Sequence, residues 1–256
     1  MEKIYITEDI NVFSGQDAEL LLNKNNDLKY VDSIEGGIHK VDYERWKIAQ
    51  SYERKTWMEN NLSVDDDRNI EHLERFSNYE QIDDLLKTKN SIIELGCGAF
   101  TNIRFILPKM EVTKISLLDP LIEDYLNHPH CFYKNQKIND FDIDIKNTPI
   151  EELNVKEQYD VVVMINVLEH CFDVDKIFKK INLLLKNDGL FIFSDVYFDD
   201  VETMVKSHYD AGHPLRVSKK KINEILNNYN PIFEKRFTKL YSQDWRNDVY
   251  FIGTKK

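Results

Sequence analysis

The residues equipped for chemistry gather in four short stretches: Glu94-Leu-Gly-Cys-Gly98, Asp119-Pro120, Asn166-Val-Leu-Glu-His170 and Tyr209-Asp-Ala-Gly-His-Pro-Leu-Arg216. Gly96 and Gly98 allow a tight turn in which a ligand can lie against bare backbone. Such a turn serves either a dinucleotide or S-adenosylmethionine, and the residues around it separate the two. A dinucleotide turn needs Gly-x-Gly-x-x-Gly, whose third glycine lets the helix pack close and whose helix start faces a pyrophosphate. Here the third position is Thr101. Glu94 at the strand end would repel a pyrophosphate and attract an ammonium or sulfonium group, which favours S-adenosylmethionine over NAD. Asp119 stands where a carboxylate accepts hydrogen bonds from ribose hydroxyls, and that suits either cofactor.

These residues need strands and helices to hold them. Ile92 and Ile93 read as the end of a buried parallel strand, and residues 102–107 as the first turns of the helix after it. Residues 112–118 form a second strand, 121–126 a short crossover helix, and 141–146 a third strand by alternation. Tyr159-Asp-Val-Val-Val-Met-Ile165 is continuously apolar, as a central parallel strand buried on both faces should be. Residues 173–186 make an amphipathic helix closed by Asn187-Asp-Gly189, and 190–194 the next buried strand. Residues 231–237 and 248–253 are the final strands. The alternation of strand and helix is that of an open α/β sheet with its binding crevice at the carboxyl ends of the strands.

The front of the chain reads differently. Residues 3–7 and 28–31 are short strands or extended arms broken by Gly15, Gly36 and Gly37. Residues 43–58 form a helix crowded with Tyr43, Trp46, Tyr52 and Trp57, either a core helix or a cap over the pocket. Ser63 caps a further helix with Asp65, Asp66 and Asp67 near its positive end, and helical segments run through 70–76 and 82–87. The expected division is an extended and helical cap over 1–87 and a Rossmann-like domain over 88–256.

Composition narrows the function. The chain has 256 residues and a formal net charge of −11, which opposes the basic face that non-specific nucleic-acid binding requires. No apolar run is long enough to span a bilayer, and the first eight residues lack the regions of a signal peptide, so a cytoplasmic protein with no membrane partner is expected. Cys97, Cys131 and Cys171 are scattered and form no disulfide framework. No metal is expected. His128-Pro-His-Cys131 reads as a loop, and the three aspartates read as a cap.

Taken together, Ile92-Ile-Glu-Leu-Gly-Cys-Gly98, Asp119-Pro120, the run Tyr159 to His170 and Leu183-Leu-Leu-Lys-Asn-Asp-Gly-Leu-Phe-Ile-Phe193 resemble the class I S-adenosylmethionine-dependent methyltransferases. Within them the likeness is to the small-molecule branch with a Leu-Glu-His signature after the fourth strand. It covers about residues 88 to 196, with four motifs in order. The resemblance implies a seven-stranded, mostly parallel sheet with one antiparallel strand near the edge. It implies Glu94, Gly96, Cys97 and Gly98 at the methionine end of S-adenosylmethionine, Asp119 on the ribose, Pro120, Ile150 and Glu151 at the adenine, and Asn166 beneath the sulfonium. The product would be S-adenosylhomocysteine. Trp46, Gln50, Glu53 and Trp57 resemble a helix found in enzymes of bacterial surface-polysaccharide pathways, which makes Trp46 and Gln50 acceptor-site candidates.

Methyl transfer to a hydroxyl requires loss of its proton, and histidine is the usual base near neutral pH. His170 follows the fourth strand and His213 lies in the insertion after the fifth, where this family builds acceptor sites; each is a candidate base, and either can instead be a packing residue. Arg216 offers a fork for an anionic acceptor, while Ser218 reads as a helix cap and Lys219 to Lys221 as that helix's solvated face. The expectation is methylation of an oxygen on a small polar acceptor, such as a sugar, nucleotide sugar or phosphorylated capsule precursor. The alternatives are N-methylation of a small amine or sugar amine, and a non-catalytic S-adenosylmethionine-binding partner protein. A nucleic-acid amino-methyltransferase would carry Asn/Asp-Pro-Pro-Tyr/Phe after the fourth strand, where Asn166-Val-Leu-Glu169 stands instead.

Overall fold

The computed structural model describes residues 2–6, 12–14, 30–59, 67–201, 212–238 and 246–256. Strands β1 (Glu2–Ile6), β2 (Val12–Ser14), β3 (Tyr30–Glu35) and β4 (Ile38–Lys40) precede helix α1 (Tyr43–Glu59). Helices α2 (Asn69–Arg75) and α3 (Asp83–Leu86) lead into β5 (Ser91–Leu95), β6 (Lys114–Leu118) and α4 (Ile122–Leu126). Then come β7 (Lys137–Ile138), β8 (Phe141–Asp142), β9 (Asp144–Lys146), β10 (Tyr159–Ile165), α5 (Val174–Leu184) and β11 (Leu185–Tyr197). The chain closes with β12 (Arg216–Val217), α6 (Lys219–Leu226), β13 (Tyr229–Thr238) and β14 (Asn247–Lys255). The proposed cap at Ser63, with Asp65 and Asp66, lies outside the described residues, as do residues 28–29 and 209–211. Helix α2 begins beside Asp67, whose carboxylate accepts from Asn69 N and pairs with Arg104.

Seven strands form the main sheet in the order β13-β14-β11-β10-β5-β6-β9, and β14 runs antiparallel to both its neighbours. This is the Rossmann-like, mostly parallel arrangement expected, with its antiparallel strand one place in from the edge. Val161, Val162, Val163 and Met164 of β10 are fully buried because helices and turns cover both faces of the strand. A second sheet, β12-β4-β3-β1-β2, is antiparallel throughout, so the front of the chain is joined by a strand from the insertion after β11.

Three local expectations change. Residues 102–107 form 3-10 turns, Ile103–Phe105 and Leu107–Lys109, rather than a regular helix. Pro108 lacks the N–H a continuing helix needs. Residues 141–146 split into β8, paired with β7, and β9, paired with β6, because Ile143 turns its N–H to Gln136 O and buries its side chain. Helix α5 ends at Leu184, since Leu185 pairs with Tyr159 and opens β11.

The expected boundary at residue 88 cuts through a core. Phe76, Tyr79, Ile82 and Leu86 are buried in the same cluster as Ile92, Val161 and Tyr250 of the main sheet. The chain ahead of Thr88 therefore contributes to the core of the main domain.

Candidate active site

Strand β5 delivers Glu94 and the turn after it to the carboxyl edge of the sheet. Gly96 N and Cys97 N both donate to Leu118 O at 2.7 and 3.2 Å, which ties the turn to the end of β6. Gly96 has φ +72, and a Cβ there would lie 2.4 Å from Val167, so the turn and the loop after β10 are in close contact. Gly98 has φ +53, and among the described residues nothing stands within 4 Å of the Cβ it lacks. The bare backbone at Gly98 thus faces open space.

Glu94, expected to attract an ammonium or sulfonium, is instead turned into the protein. It is fully buried and accepts from the Thr101 hydroxyl, from Asn102 N at 2.9 Å, from Asn102 Nδ2 at 3.0 Å and from Ile103 N at 3.4 Å. Burial raises its pKa, and these donors work in the opposite direction. The role is structural: the carboxylate satisfies the amides at the start of the turn, and Thr101 stands in the third-glycine position because its hydroxyl is one of the donors. Cys97 also departs from expectation, since its thiol is buried 3.6 Å from Tyr133 OH and leaves the turn only its backbone.

Asp119 ends β6 beside Gly98. Its Oδ2 accepts from Gly98 N at 3.1 Å and its Oδ1 from Leu121 N at 2.8 Å. Burial pushes its pKa up to about 7, against the pull of those two amides. Pro120 is half-buried next to it. Across β6, Ile150 and Glu151 occupy a 3-10 turn, Ile150–Glu152. Ile150 is packed with Leu118 in the core. Glu151 Oε1 accepts from Phe172 N and Asp173 N at 2.8 and 3.1 Å, while Oε2 is buried with no hydrogen-bond partner. A buried acceptor left alone is costly unless a donor reaches it, and the amino group of an adenine is such a donor.

The loop after β10 carries the polar cluster. Asn166 adopts φ +58 and donates its N–H to Ser194 O at 2.8 Å. Asp195, at the end of β11, accepts from Val167 N and Leu168 N at 2.9 and 2.6 Å and so fixes the 3-10 turn Leu168–His170. Its pKa is raised to about 7 by burial. The chain returning from the insertion is pinned against this turn by Leu215 N donating to Glu169 O at 3.2 Å. That contact sets the His213 ring 4.5 Å from the His170 ring, with His213 Nε2 3.5 Å from Glu169 Oε1. Burial lowers the pKa of His170. Glu169 is held below the usual carboxylate range: burial works to raise it, and the charges of His213, Arg216 and His170 overcome that.

Arg216 was expected to offer its fork to an acceptor. It is buried instead, and its Nη1 donates to Glu169 Oε2 at 2.9 Å. Trp46 and Gln50 likewise turn to the protein: the Trp46 indole N–H and the Gln50 amide both donate to His170 O, at 2.9 and 3.1 Å. Ser218 does cap α6, accepting from Lys221 N. Helix α1 runs across the crevice, held at one end by Trp46 against Phe172 and at the other by Trp57 edge-on to Phe100 and Tyr125. Both of its tryptophans therefore pack on the main domain.

Three site residues were not picked out from the sequence. Glu169 sat inside the quoted signature beside His170. Glu53, whose Oε2 is 3.7 Å from His170 Nδ1, sat one helical turn before Trp57. Asp195 comes directly after the apolar run 190–194 as Asp119 comes after 115–118, and that parallel was the available signal.

Residues 64–230 match the family model described as a methyltransferase domain. No curated protein matches the chain in a sequence search. Among solved structures, N-methyltransferase NodS from Bradyrhizobium japonicum, in complex with S-adenosyl-L-homocysteine, is similar with a TM-score of 0.56 at 16% identity, covering 81% of this chain and 98% of that one. The 1,6-didemethyltoxoflavin-N1-methyltransferase of Burkholderia thailandensis gives 0.58 at 16% identity, with 91% and 98% covered. A StiE O-MT segment gives 0.54 at 12% identity, with 71% and 73% covered. At these identities the likeness is one of fold. Among the described residues, no helix is long and apolar enough to cross a membrane.

Proposed function

Because the chain belongs to the methyltransferase-domain family, we propose that it moves a methyl group from S-adenosylmethionine to an oxygen of a small polar acceptor. The observation that carries the cofactor is the open space at Gly98 beside Asp119, and the buried, unpartnered Oε2 of Glu151 is a second acceptor for it. Asp119 would accept from ribose hydroxyls, Glu151 from the adenine amino group, and Asn166 would line the floor below the methyl donor. Bound there, S-adenosylmethionine supplies an electrophilic methyl carbon on sulfur.

The chain's own work is positional. Helix α1 packs along the crevice, and the fixed loop after β10 holds an acceptor in line, which is where much of the rate of such a transfer arises. An acceptor hydroxyl must shed its proton, and Glu169, His170 and His213 are the groups gathered to promote that loss. This cluster is the feature that favours oxygen. Two of the similar structures are N-methyltransferases, so amines belong in any acceptor screen. A sugar or capsule-precursor acceptor rests on the sequence likeness of helix α1 alone.

Calorimetric titration with S-adenosylmethionine and S-adenosylhomocysteine, with NAD alongside and Asp119→Ala in parallel, tests the reading. Binding of both adenosyl ligands near 1 μM, about −8 kcal/mol, with a loss of affinity in the variant, supports it. Binding of NAD alone, or of nothing, would sink it.

A further inference from the structure

We infer that Glu169, His170 and His213 form a site for a divalent first-row transition cation, which takes the acceptor oxygen as a further ligand. The inference departs from the metal-free expectation drawn from sequence, where only a His-x-His-Cys run and an aspartate run had been weighed. Folding produces a set the sequence spreads over forty-five positions: one ligand atom from each residue, all within 4.8 Å of one another.

The geometry is close to what a cation demands. Metal–nitrogen and metal–oxygen bonds of about 2.0–2.2 Å place neighbouring ligand atoms roughly 3–3.5 Å apart. Glu169 Oε1 and His213 Nε2 already stand at 3.5 Å. From the 4.8 Å limit of the set, the third atom needs to close by at most about 1.3–1.8 Å to reach that spacing.

Supporting contacts point the ligand atoms the same way. A metal-binding histidine commonly gives its other ring nitrogen to a backbone carbonyl or carboxylate, which fixes the tautomer. His170 Nδ1 lies 3.2 Å from Gly212 O and 3.7 Å from Glu53 Oε2, which leaves Nε2 as the ligand nitrogen. Arg216 holds Glu169 through Oε2 and leaves Oε1 toward His213. All three side chains keep some exposure, 11% at Glu169, 17% at His170 and 30% at His213, so a cation and an exogenous oxygen can reach them.

The donor set selects the ion. Two imidazoles and one carboxylate suit zinc, cobalt, iron or manganese, and three protein ligands leave positions open. Calcium and magnesium want oxygen donors and more negative charge than one carboxylate already shared with Arg216 can offer. A cation here lowers the pKa of a bound hydroxyl. The proton departs to solvent, the oxygen lone pair forms the bond to the methyl carbon, and the carbon–sulfur pair leaves with sulfur. This catalytic use rests on the methyltransferase reading; the binding of the cation does not.

The test uses the full chain, stripped with a chelator and titrated with Co2+ by visible absorption and with Zn2+ by calorimetry, with Mg2+ in parallel. One Co2+ or Zn2+ per chain is expected, with Mg2+ at least about 100-fold weaker. His213→Ala should weaken Co2+ by more than about 100-fold, beyond what losing a supporting group costs, while the His128→Ala, His130→Ala double variant retains it. Absence of stoichiometric Co2+ or Zn2+ binding in the wild-type chain would overturn the site, as would equal affinity for Mg2+ or undiminished binding in a folded His213→Ala. S-adenosylhomocysteine is titrated separately: its failure to bind while Co2+ binds would remove the methyltransferase reading and leave the cation site standing.

Discussion

Gly96 and Gly98 share one turn, yet an added methyl group meets a different obstacle at each. At Gly96 the methyl would be forced to 2.4 Å from Val167 in a left-handed backbone, whereas at Gly98 it would enter open space with only the backbone penalty to meet. Gly98→Ala should therefore cost about 1 kcal/mol of stability and act mainly by filling the ligand's space, which calorimetry with S-adenosylhomocysteine would read. Gly96→Ala adds overpacking of about 1–3 kcal/mol, so its thermal midpoint should fall further than that of Gly98→Ala; equal midpoints would refute the contact with Val167. Asp119 carries a pH signature. Its carboxyl, ordinarily near 3.8, is raised by burial to about 7. Between those values the folded chain keeps a proton that the unfolded chain has lost, so this group's contribution to stability declines as pH rises through that window and is level above it. Ribose hydroxyls donate to the ionised form, so the affinity for S-adenosylhomocysteine should climb by up to about tenfold per unit as pH rises toward 7, then level off. Asp119→Asn should bind weakly and without that slope, and a flat wild-type profile would contradict the shift.

At the scale of the element, helix α1 is tied to the main domain at both of its ends. Its tryptophans are eleven residues apart, about 16 Å along a helix, enough to reach from the loop after β10 to the glycine turn of β5. Trp46 is buried, with its indole N–H on His170 O. Trp46→Phe keeps the tilted ring contact with Phe172 and loses a hydrogen bond, at about 1 kcal/mol; Trp46→Ala loses the packing too, at about 3–5 kcal/mol. Chemical denaturation would separate the two, and similar losses would mean that the ring contributes little. Trp57, edge-on to Phe100 two residues beyond Gly98, should report ligand binding. Tryptophan emission should change on adding S-adenosylhomocysteine, and Trp57→Phe should abolish most of that change. The helix itself was legible from its spacing and its aromatic content. Its hydrogen bonds to a carbonyl some 120 residues away were not, because no local pattern encodes a backbone partner brought by folding.

Across the whole molecule, what the sequence made legible is what repeats or alternates: the apolar runs of β5, β10 and β11, and the glycine turn with Asp119. What it hid depends on three-dimensional closure. Glu94 looked like a ligand for a cation because a carboxylate beside glycines has that chemistry, and only the path of residues 101–103 reveals that its oxygens are already used. Arg216 looked free for an acceptor until β12 joined β4 and set it on Glu169. The boundary at residue 88 was drawn where the Rossmann-like pattern starts, and packing does not respect it. Phe76, Tyr79, Ile82 and Leu86 are each at most 1% exposed against the sheet. Leaving out four such side chains forfeits roughly 6–12 kcal/mol at about 1.5–3 each, against a total stability of about 5–15 kcal/mol for a typical domain. A fragment of residues 88–256 should therefore show no cooperative thermal transition. A fragment of 64–256, starting where the family match starts, keeps those four side chains and loses helix α1, so it should unfold cooperatively while binding S-adenosylhomocysteine more weakly than the full chain. Cooperative unfolding of the shorter fragment would instead place the independent domain at residue 88 and reduce the preceding helices to a cover.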